Sequence, residues 1–169
     1  KYDLDDNELR PYFKLENVRD GVFEVAHRLF GVEFIPQAEV PLPHPDAQPF
    51  EVVEEDGSHL GVLYMDFYTR ESKRQGAWCV TYQTHHLEKG NVVSPIVTIN
   101  CNFTNPGDDM LTLLSLDEVS TIFHEFGHAL DFIMNKSKYN TIYWAWDFVE
   151  LPSQIMEHWV TEPEVLGFY

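Results

Sequence analysis

The hydrophobic positions of the chain are spaced like a helix near its start and like strands in its middle. Between residues 13 and 30, apolar side chains follow the i, i+3, i+4, i+7 spacing of an amphipathic helix, and Gly31 supplies a stop signal. Five prolines follow between positions 36 and 49. They predict a short strand before Pro36 and an extended loop after it, because proline disfavours helix in the residue that precedes it.

Four apolar runs rich in β-branched and aromatic residues predict strands. These predicted strands cover residues 50–55, 60–68, 77–82 and 96–103. The pair Asp56-Gly57 separates the first two runs and is typical of a hairpin, because glycine tolerates the positive φ of a tight turn. Beyond residue 115 the apolar spacing becomes helical again. The sequence therefore predicts one α+β domain over residues 1–169, with a sheet of about four strands packed against helices.

Composition and charge exclude several classes of protein. A chain of 169 residues with 44% hydrophobic residues is too apolar for a disordered tail and long enough for one core. Its formal net charge of −17 repels phosphate and anionic lipid, so we expect no nucleic acid and no membrane partner. No apolar stretch approaches the roughly 20 residues that span a bilayer, and the first residues do not resemble a signal peptide. Cys79 and Cys101 lie in strand-like runs without a CxxC pair, which favours buried thiols and a cytoplasmic protein.

The segment that begins at Ser115 carries the candidate chemistry. It contains an HExxH motif, in which His124 and His128 lie one helical turn apart on one face. Each histidine can present a ring nitrogen to one cation, as tetrahedral Zn²⁺ requires. Glu125 lies beside them and could take a proton from a metal-bound water. Ser115 and Glu118 form a capping box, which predicts the start of this helix.

Apolar and polar residues of this helix separate onto opposite faces. The apolar face comprises Val119, Ile122, Phe123, Phe126, Leu130 and Ile133. The face of the histidines also carries Asp117, Ser120, Thr121 and Asp131. We therefore expect the apolar face to pack on the sheet and the histidines to line a polar cleft. Gly127 would let another segment approach the helix closely.

A hydrolytic zinc site needs a third protein ligand and an open fourth position. The extended motif HExxHxxGxxH is excluded, because Asp131 and Met134 occupy its last two defined positions. The other known solution takes a glutamate from a second helix, and Glu150, 22 residues after the second histidine, is the candidate. Glu150 could instead belong to a helix cap with Asp147, although Pro152 would disturb a helix that starts there.

Two longer segments carry a family resemblance. They read HEFGHAL from His124 and DFVELPSQIMEHW from Asp147, and they resemble the thimet oligopeptidase and peptidyl-dipeptidase family of zinc metallopeptidases. Shorter matches upstream read NVRDGVF from Asn17, GVLYMD from Gly61 and GAW from Gly76, so the resemblance covers most of the chain.

The resemblance implies a zincin-like catalytic unit, in which a small sheet packs against the HExxH helix and a second helix bears the glutamate. It implies one Zn²⁺ per chain, held by His124, His128 and Glu150. It further implies that Glu125 is the general base in the hydrolysis of peptide bonds in short peptides.

The chain also departs from this family. Members are several times longer, mostly helical, and carry a downstream block rich in histidine and tyrosine that binds substrate. Asp131 stands where the family often has histidine, and the interval before Glu150 is a few residues shorter. We therefore expect the chain to be part of a longer enzyme, with the remainder of that enzyme as its partner. The alternative is a non-catalytic zinc-binding fragment or remnant.

Several other polar residues are weaker candidates. Glu157 and Gln154 could orient a metal ligand, because metal-bound imidazoles usually donate their other N–H to a carboxylate or carbonyl. His158 is expected at the surface or behind the ligands. His85 and His86 are expected in a solvated loop, because neighbours in a strand or turn point apart.

The aromatic residues near the motif have two interpretations. Trp144, Trp146 and Trp159 are expected in a core, with the walls of a substrate cleft as the alternative. The strand around Ala77-Trp78-Cys79 is a candidate sheet edge that pairs with a peptide substrate.

Overall fold

A mixed five-stranded sheet with helices packed on it forms the fold of this protein. The computed structural model describes residues 5–107, 110–139 and 144–169. The helices are α1 (Asp6–Leu9), α2 (Leu15–Phe30), α3 (Leu116–Met134) and α4 (Leu151–Glu157), with 3₁₀ turns at Arg10–Tyr12 and His158–Thr161. The strands are β1 (Glu33–Pro36), β2 (Gln48–Val53), β3 (His59–Tyr68), β4 (Trp78–Gln83), β5 (His86–Glu88), β6 (Asn91–Val93) and β7 (Ile96–Phe103). The predicted α+β class is confirmed.

The strands of the large sheet are arranged in the order β1-β2-β3-β7-β4. Only β3 and β7 run parallel, and the other neighbours are antiparallel. The predicted hairpin forms between β2 and β3, and Gly57 in its turn has a φ of +81°. The prediction of about four strands was one too low, because β1, the short strand before the proline-rich loop, pairs with β2. Strands β5 and β6 form a separate ribbon that the sequence did not predict.

The apolar face of α3 packs on the sheet as the helical spacing predicted. All six of its residues are buried: Val119, Ile122, Phe123, Phe126, Leu130 and Ile133. Helix α2 packs beside α3 and buries Leu15, Val18, Val22, Val25 and Ala26. Cys101 is buried on β7 and Cys79 is partly exposed on β4, and neither forms a disulfide.

None of the described helices combines the length and apolar character that crossing a bilayer requires.

A buried network of ion pairs lies at the end of the sheet where β3 ends. Asp66 accepts two hydrogen bonds from Arg70, at 2.9 and 2.7 Å, and one from Lys73 Nζ at 3.0 Å. The Lys73 and Asp66 side chains are only 2% and 4% exposed. Burial opposes ionisation of Asp66, but the hydrogen bonds from Arg70 and Lys73 outweigh it and lower the pKa of the carboxyl.

We expect Asp66→Asn to lower the free energy of unfolding at neutral pH by about 3 kcal/mol, because it leaves Lys73 buried without its counter-charge. The lowered pKa means that Asp66 stabilises the fold fully above its unfolded pKa of about 4. That contribution is lost as the pH falls through the pKa that Asp66 has in the folded protein. Urea unfolding from pH 7 to pH 3 should therefore show the difference between wild type and variant shrinking.

Asp20→Asn is the matched control. The side chain of Asp20 is 63% exposed in its pair with Arg19, so its loss should cost less than about 1 kcal/mol. If the difference in the free energy of unfolding between wild type and Asp66→Asn stayed constant down to pH 3, the assigned stabilising role of the ionised Asp66 would be contradicted.

Candidate metal centre

Helix α3 begins where the capping box predicted and thereby fixes the position of the histidines. The Glu118 backbone N–H donates to Ser115 Oγ at 3.1 Å, and the Ser115 N–H donates to Glu118 Oε2 at 2.7 Å. Two turns later, His124 and His128 project from the face opposite the core, and both are partly exposed. The predicted separation of an apolar face and a histidine face is confirmed.

Three of the predicted side chains converge on one point. Glu150 Oε2 lies 3.3 Å from His124 Nε2 and 3.1 Å from His128 Nε2, and one ligand atom from each residue lies within 4.8 Å of the others. Ligands at about 2.0–2.1 Å from a tetrahedral zinc ion are separated by about 3.3 Å, so these distances fit a shared metal ion. The Glu150 side chain is 50% exposed, which leaves the outer side of the cluster open. The group could hold a metal ion.

Glu150 reaches the histidines because α4 crosses α3 at Gly127. A Cβ atom at Gly127 would lie 2.5 Å from the Pro152 carbonyl oxygen and 2.7 Å from Ser153 Cα. The predicted close approach at Gly127 is confirmed, and the approaching segment is the first turn of α4. Pro152 is tolerated there, because the first turn does not need its missing N–H.

The capping alternative for Glu150 is wrong in its geometry. Helix α4 begins at Leu151, so Asp147 does not cap it, and the Glu150 side chain makes no capping hydrogen bond. Instead, Ser153 Oγ donates to Glu150 Oε2 at 2.9 Å and holds the carboxylate towards the histidines. Ser153 is fully buried, and nothing in the sequence pattern distinguished it beforehand.

Glu157 contacts the cluster from behind. Its Oε1 atom lies 2.5 Å from His124 Nδ1, in a hydrogen bond that leaves Nε2 of the same ring facing Glu150. This is the arrangement predicted for an orienting carboxylate. Gln154 and His158 are exposed, and among the described residues neither belongs to the cluster.

Glu125 lies next to the cluster in a different environment. It is only 7% exposed, and burial is the main cause that raises the pKa of its carboxyl, with the negative charge of Glu150 adding to the effect. His124, a backbone hydrogen bond from Cys79 and the charge of Arg74 oppose this rise. A carboxylate with a raised pKa beside a metal site is suited to accept a proton.

Burial also shifts the groups around His128. It lowers the pKa of His128, which favours the neutral imidazole that metals bind. It raises the pKa of Asp131, whose carboxylate accepts a hydrogen bond from the Trp144 side chain.

A polar cleft of about 330 Å³ opens beside the HExxH motif, as predicted. Its lining includes Ala77, Asp117, Ser120, Thr121, His124, Glu125 and Glu157.

The aromatic and paired-histidine predictions are partly wrong. Trp159 packs against the core, but Trp146 is 95% exposed, because it lies in the turn before α4 where nothing covers it among the described residues. Together with Pro152, Trp144 lines an apolar groove, which is separate from the polar cleft beside His124 and Glu125. His86 begins β5 instead of lying in a loop, and both His85 and His86 bond backbone carbonyls through Nδ1.

A helix with an HExxH motif and a group of side chains that could hold a metal ion are features found in metallopeptidases. Residues 1–169 match the model of Peptidase family M3, and the chain belongs to this family. The family resemblance seen in the sequence is confirmed.

The relatives of this chain include three kinds of peptidase. It is 39% identical over 173 residues to dipeptidyl carboxypeptidase of Escherichia coli K12 and 38% identical over 174 residues to oligopeptidase A of the same organism. It is 32% identical over 167 residues to a probable thimet oligopeptidase of Arabidopsis thaliana. These matches cover 100%, 99% and 96% of this chain but 25%, 25% and 24% of the relatives. The chain therefore spans about a quarter of their length.

We expect Gly127→Ala to weaken the affinity for Zn²⁺ by about 10–100-fold, the range found when groups that orient metal ligands are disturbed. The added methyl group would clash with the backbone of α4, so α4 must move and carry Glu150 away from the histidines. Competition with a chromophoric chelator measures the change.

Val52→Ala separates this effect from a general loss of stability. Val52 is fully buried on β2, so its truncation should destabilise the fold and leave the affinity for Zn²⁺ unchanged. Unchanged affinity in Gly127→Ala would show that the close packing of α3 and α4 does not position Glu150.

Proposed function

We propose that this chain is the zinc-binding catalytic unit of a peptidase that hydrolyses peptide bonds in short peptides. The observation that carries the proposal is the convergence of His124, His128 and Glu150 beside the buried Glu125. Membership of Peptidase family M3 and the names of the relatives support it. We further propose that residues 1–169 form one zincin-like unit of a longer enzyme.

His124, His128 and Glu150 would hold one Zn²⁺ ion through Nε2, Nε2 and Oε2. When bound, the zinc ion supplies Lewis acidity and makes a water molecule a better nucleophile. Glu157 orients the ring of His124 through Nδ1. Ser153 restrains the carboxylate of Glu150 through its hydroxyl. The ligand set is therefore held in place from behind by groups of the same chain.

Glu125 would move the proton. Its buried carboxylate accepts a proton from the attacking water and returns it to the amine nitrogen of the leaving peptide. The raised pKa of Glu125 favours the first transfer, and the backbone N–H of Cys79 keeps the carboxylate oriented. The same group thus acts as base and then as acid.

Strand β4 would bind the peptide. It is the last strand in the order of the large sheet, and Ala77, directly before it, lines the cleft with His124 and Glu125. An extended peptide can add to such an edge through main-chain hydrogen bonds. This would place its carbonyl groups along the cleft, beside the proposed base.

We expect Glu125→Gln to reduce peptide turnover by about 10²–10⁴-fold, because glutamine has the same shape but cannot accept the proton. One zinc ion per chain should remain, since Glu125 is not among the three converging ligand groups. Metal analysis and cleavage of a quenched fluorescent peptide measure the two quantities.

His158→Gln is the matched control, because His158 is an exposed residue outside the cluster and should retain both zinc and turnover. Turnover that persists in Glu125→Gln would remove Glu125 from the proposed role.

A second candidate is a zinc-binding unit without activity of its own, and the observation that favours it is the coverage of only a quarter of the relatives' length. The two candidates differ in one measurement. Bound zinc with peptide cleavage that a chelator inhibits supports the peptidase. Bound zinc without cleavage supports the second candidate, and failure to bind zinc contradicts both.

A further inference from the structure

The segment that carries Glu150 contacts helix α3 at two points. Downstream of Glu150, the Pro152 carbonyl passes close over Gly127. Upstream of it, the side chain of Trp144 donates a hydrogen bond to the carboxylate of Asp131. Gly127 and Asp131 are four residues apart and therefore lie about one turn, roughly 6 Å, apart on the same face of the helix. The segment is thus attached to α3 on both sides of the candidate ligand.

The hydrogen bond to Asp131 uses the one polar group of the Trp144 side chain. The indole Nε1–H can only donate, and a partly buried carboxylate needs a donor. Trp144 is itself partly buried, whereas Trp146, two residues later, is 95% exposed. Trp144 also borders two cavities, an apolar groove that it shares with Pro152 and a small cavity that it shares with His85. It is therefore packed against the fold in a way that Trp146 is not.

Hydrogen-bonded turns connect Trp144 to Glu150. The N–H groups of Phe148 and Val149 both donate to the Ala145 carbonyl oxygen, at 2.9 and 3.0 Å. The ring of Phe148 lies beside that of Trp144, with centroids 5.8 Å apart. Helix α4 begins directly after Glu150. A displacement of Trp144 would therefore also displace the backbone at Glu150.

We propose that Trp144 and Asp131 are positioning residues for the metal site. Their hydrogen bond holds the segment before α4 against α3 and thereby keeps the Glu150 carboxylate between His124 and His128. The proposal rests on the function proposed above, because it concerns the binding of Zn²⁺ by these three residues. Among the described residues, neither Trp144 nor Asp131 belongs to the group that could hold the ion, so both would act through Glu150.

Asp131 could also act on the site through its charge alone. It follows His128 by three residues on the same face of α3, so its negative charge would favour a cation nearby. Trp144 carries no charge and cannot act in this way. Variants that remove the charge and the hydrogen bond separately therefore distinguish the two effects.

The zinc affinities of such variants, measured by competition with a chromophoric chelator, test the proposal. Trp144→Phe keeps an aromatic ring and removes the N–H donor. Asp131→Leu removes the acceptor, whereas Asp131→Asn removes the charge and keeps an acceptor oxygen. Trp146→Phe is the matched control, because it makes the same substitution at an exposed ring of the same segment.

We expect Trp144→Phe and Asp131→Leu each to weaken zinc binding by about tenfold, within the range found for groups that orient metal ligands. The double variant should bind no more weakly than the weaker single variant, because both changes break one contact. Asp131→Asn should retain most of the affinity, and Trp146→Phe should retain all of it.

A double-mutant cycle with Glu150 shows whether the contact acts through this ligand. In the Glu150→Gln background, which lacks the carboxylate to be positioned, Trp144→Phe should cause no further loss of zinc affinity. A purely structural role of Trp144 would change the affinity equally, or not at all, in both backgrounds. Urea unfolding of the metal-free variants measures their stability separately.

Three results would overturn the proposal: unchanged zinc affinity in Trp144→Phe, an equal further loss in the Glu150→Gln background, or Asp131→Asn binding as weakly as Asp131→Leu. A wild-type chain that binds no zinc contradicts this proposal together with the proposed function. Because the readout is metal affinity, a chain that shows the expected differences but cleaves no peptide contradicts the catalytic proposal alone.

Discussion

The candidate site depends on one contact, the passage of the α4 backbone across Gly127. This contact brings two segments that are 22 residues apart in sequence, from His128 to Glu150, within 3.1 Å of each other. A side chain at Gly127 would occupy the place of the Pro152 carbonyl and the Ser153 Cα atom. Glycine is therefore required for steric reasons and not for a special φ angle, since helix α3 is regular at this point.

Helix α3 can present candidate metal ligands because its opposite face is buried in the core. Ile122, Phe123 and Phe126 have no exposed surface, so the helix cannot rotate without exposing them. The burial of this face thus fixes the direction in which His124 and His128 project. Hydrogen bonds then complete the arrangement, with Glu157 behind one histidine and Ser153 beside Glu150. Packing sets the coarse geometry, and the polar contacts refine it.

Local patterns predicted most of the fold and the pair of histidines, and the family resemblance implied Glu150, whereas several contacts between distant segments escaped prediction. The helical face of α3, its capping box and the hairpin at Asp56-Gly57 are each determined by residues a few positions apart. The pairing of β1 with β2, the burial of Ser153 and the exposure of Trp146 depend on how distant segments meet. Apolar composition predicted a core position for Trp146, but position in a turn decided the outcome.

The distribution of charge links the site to the rest of the chain. Glu125, Glu150 and Glu157 lie close together, and burial keeps His128 towards its neutral form, so the site itself contains little positive charge. A divalent cation between the histidines and Glu150 would offset this repulsion, which makes a metal ion the natural complement of the cluster. The positive charge of Arg74 opposes the rise in the pKa of Glu125.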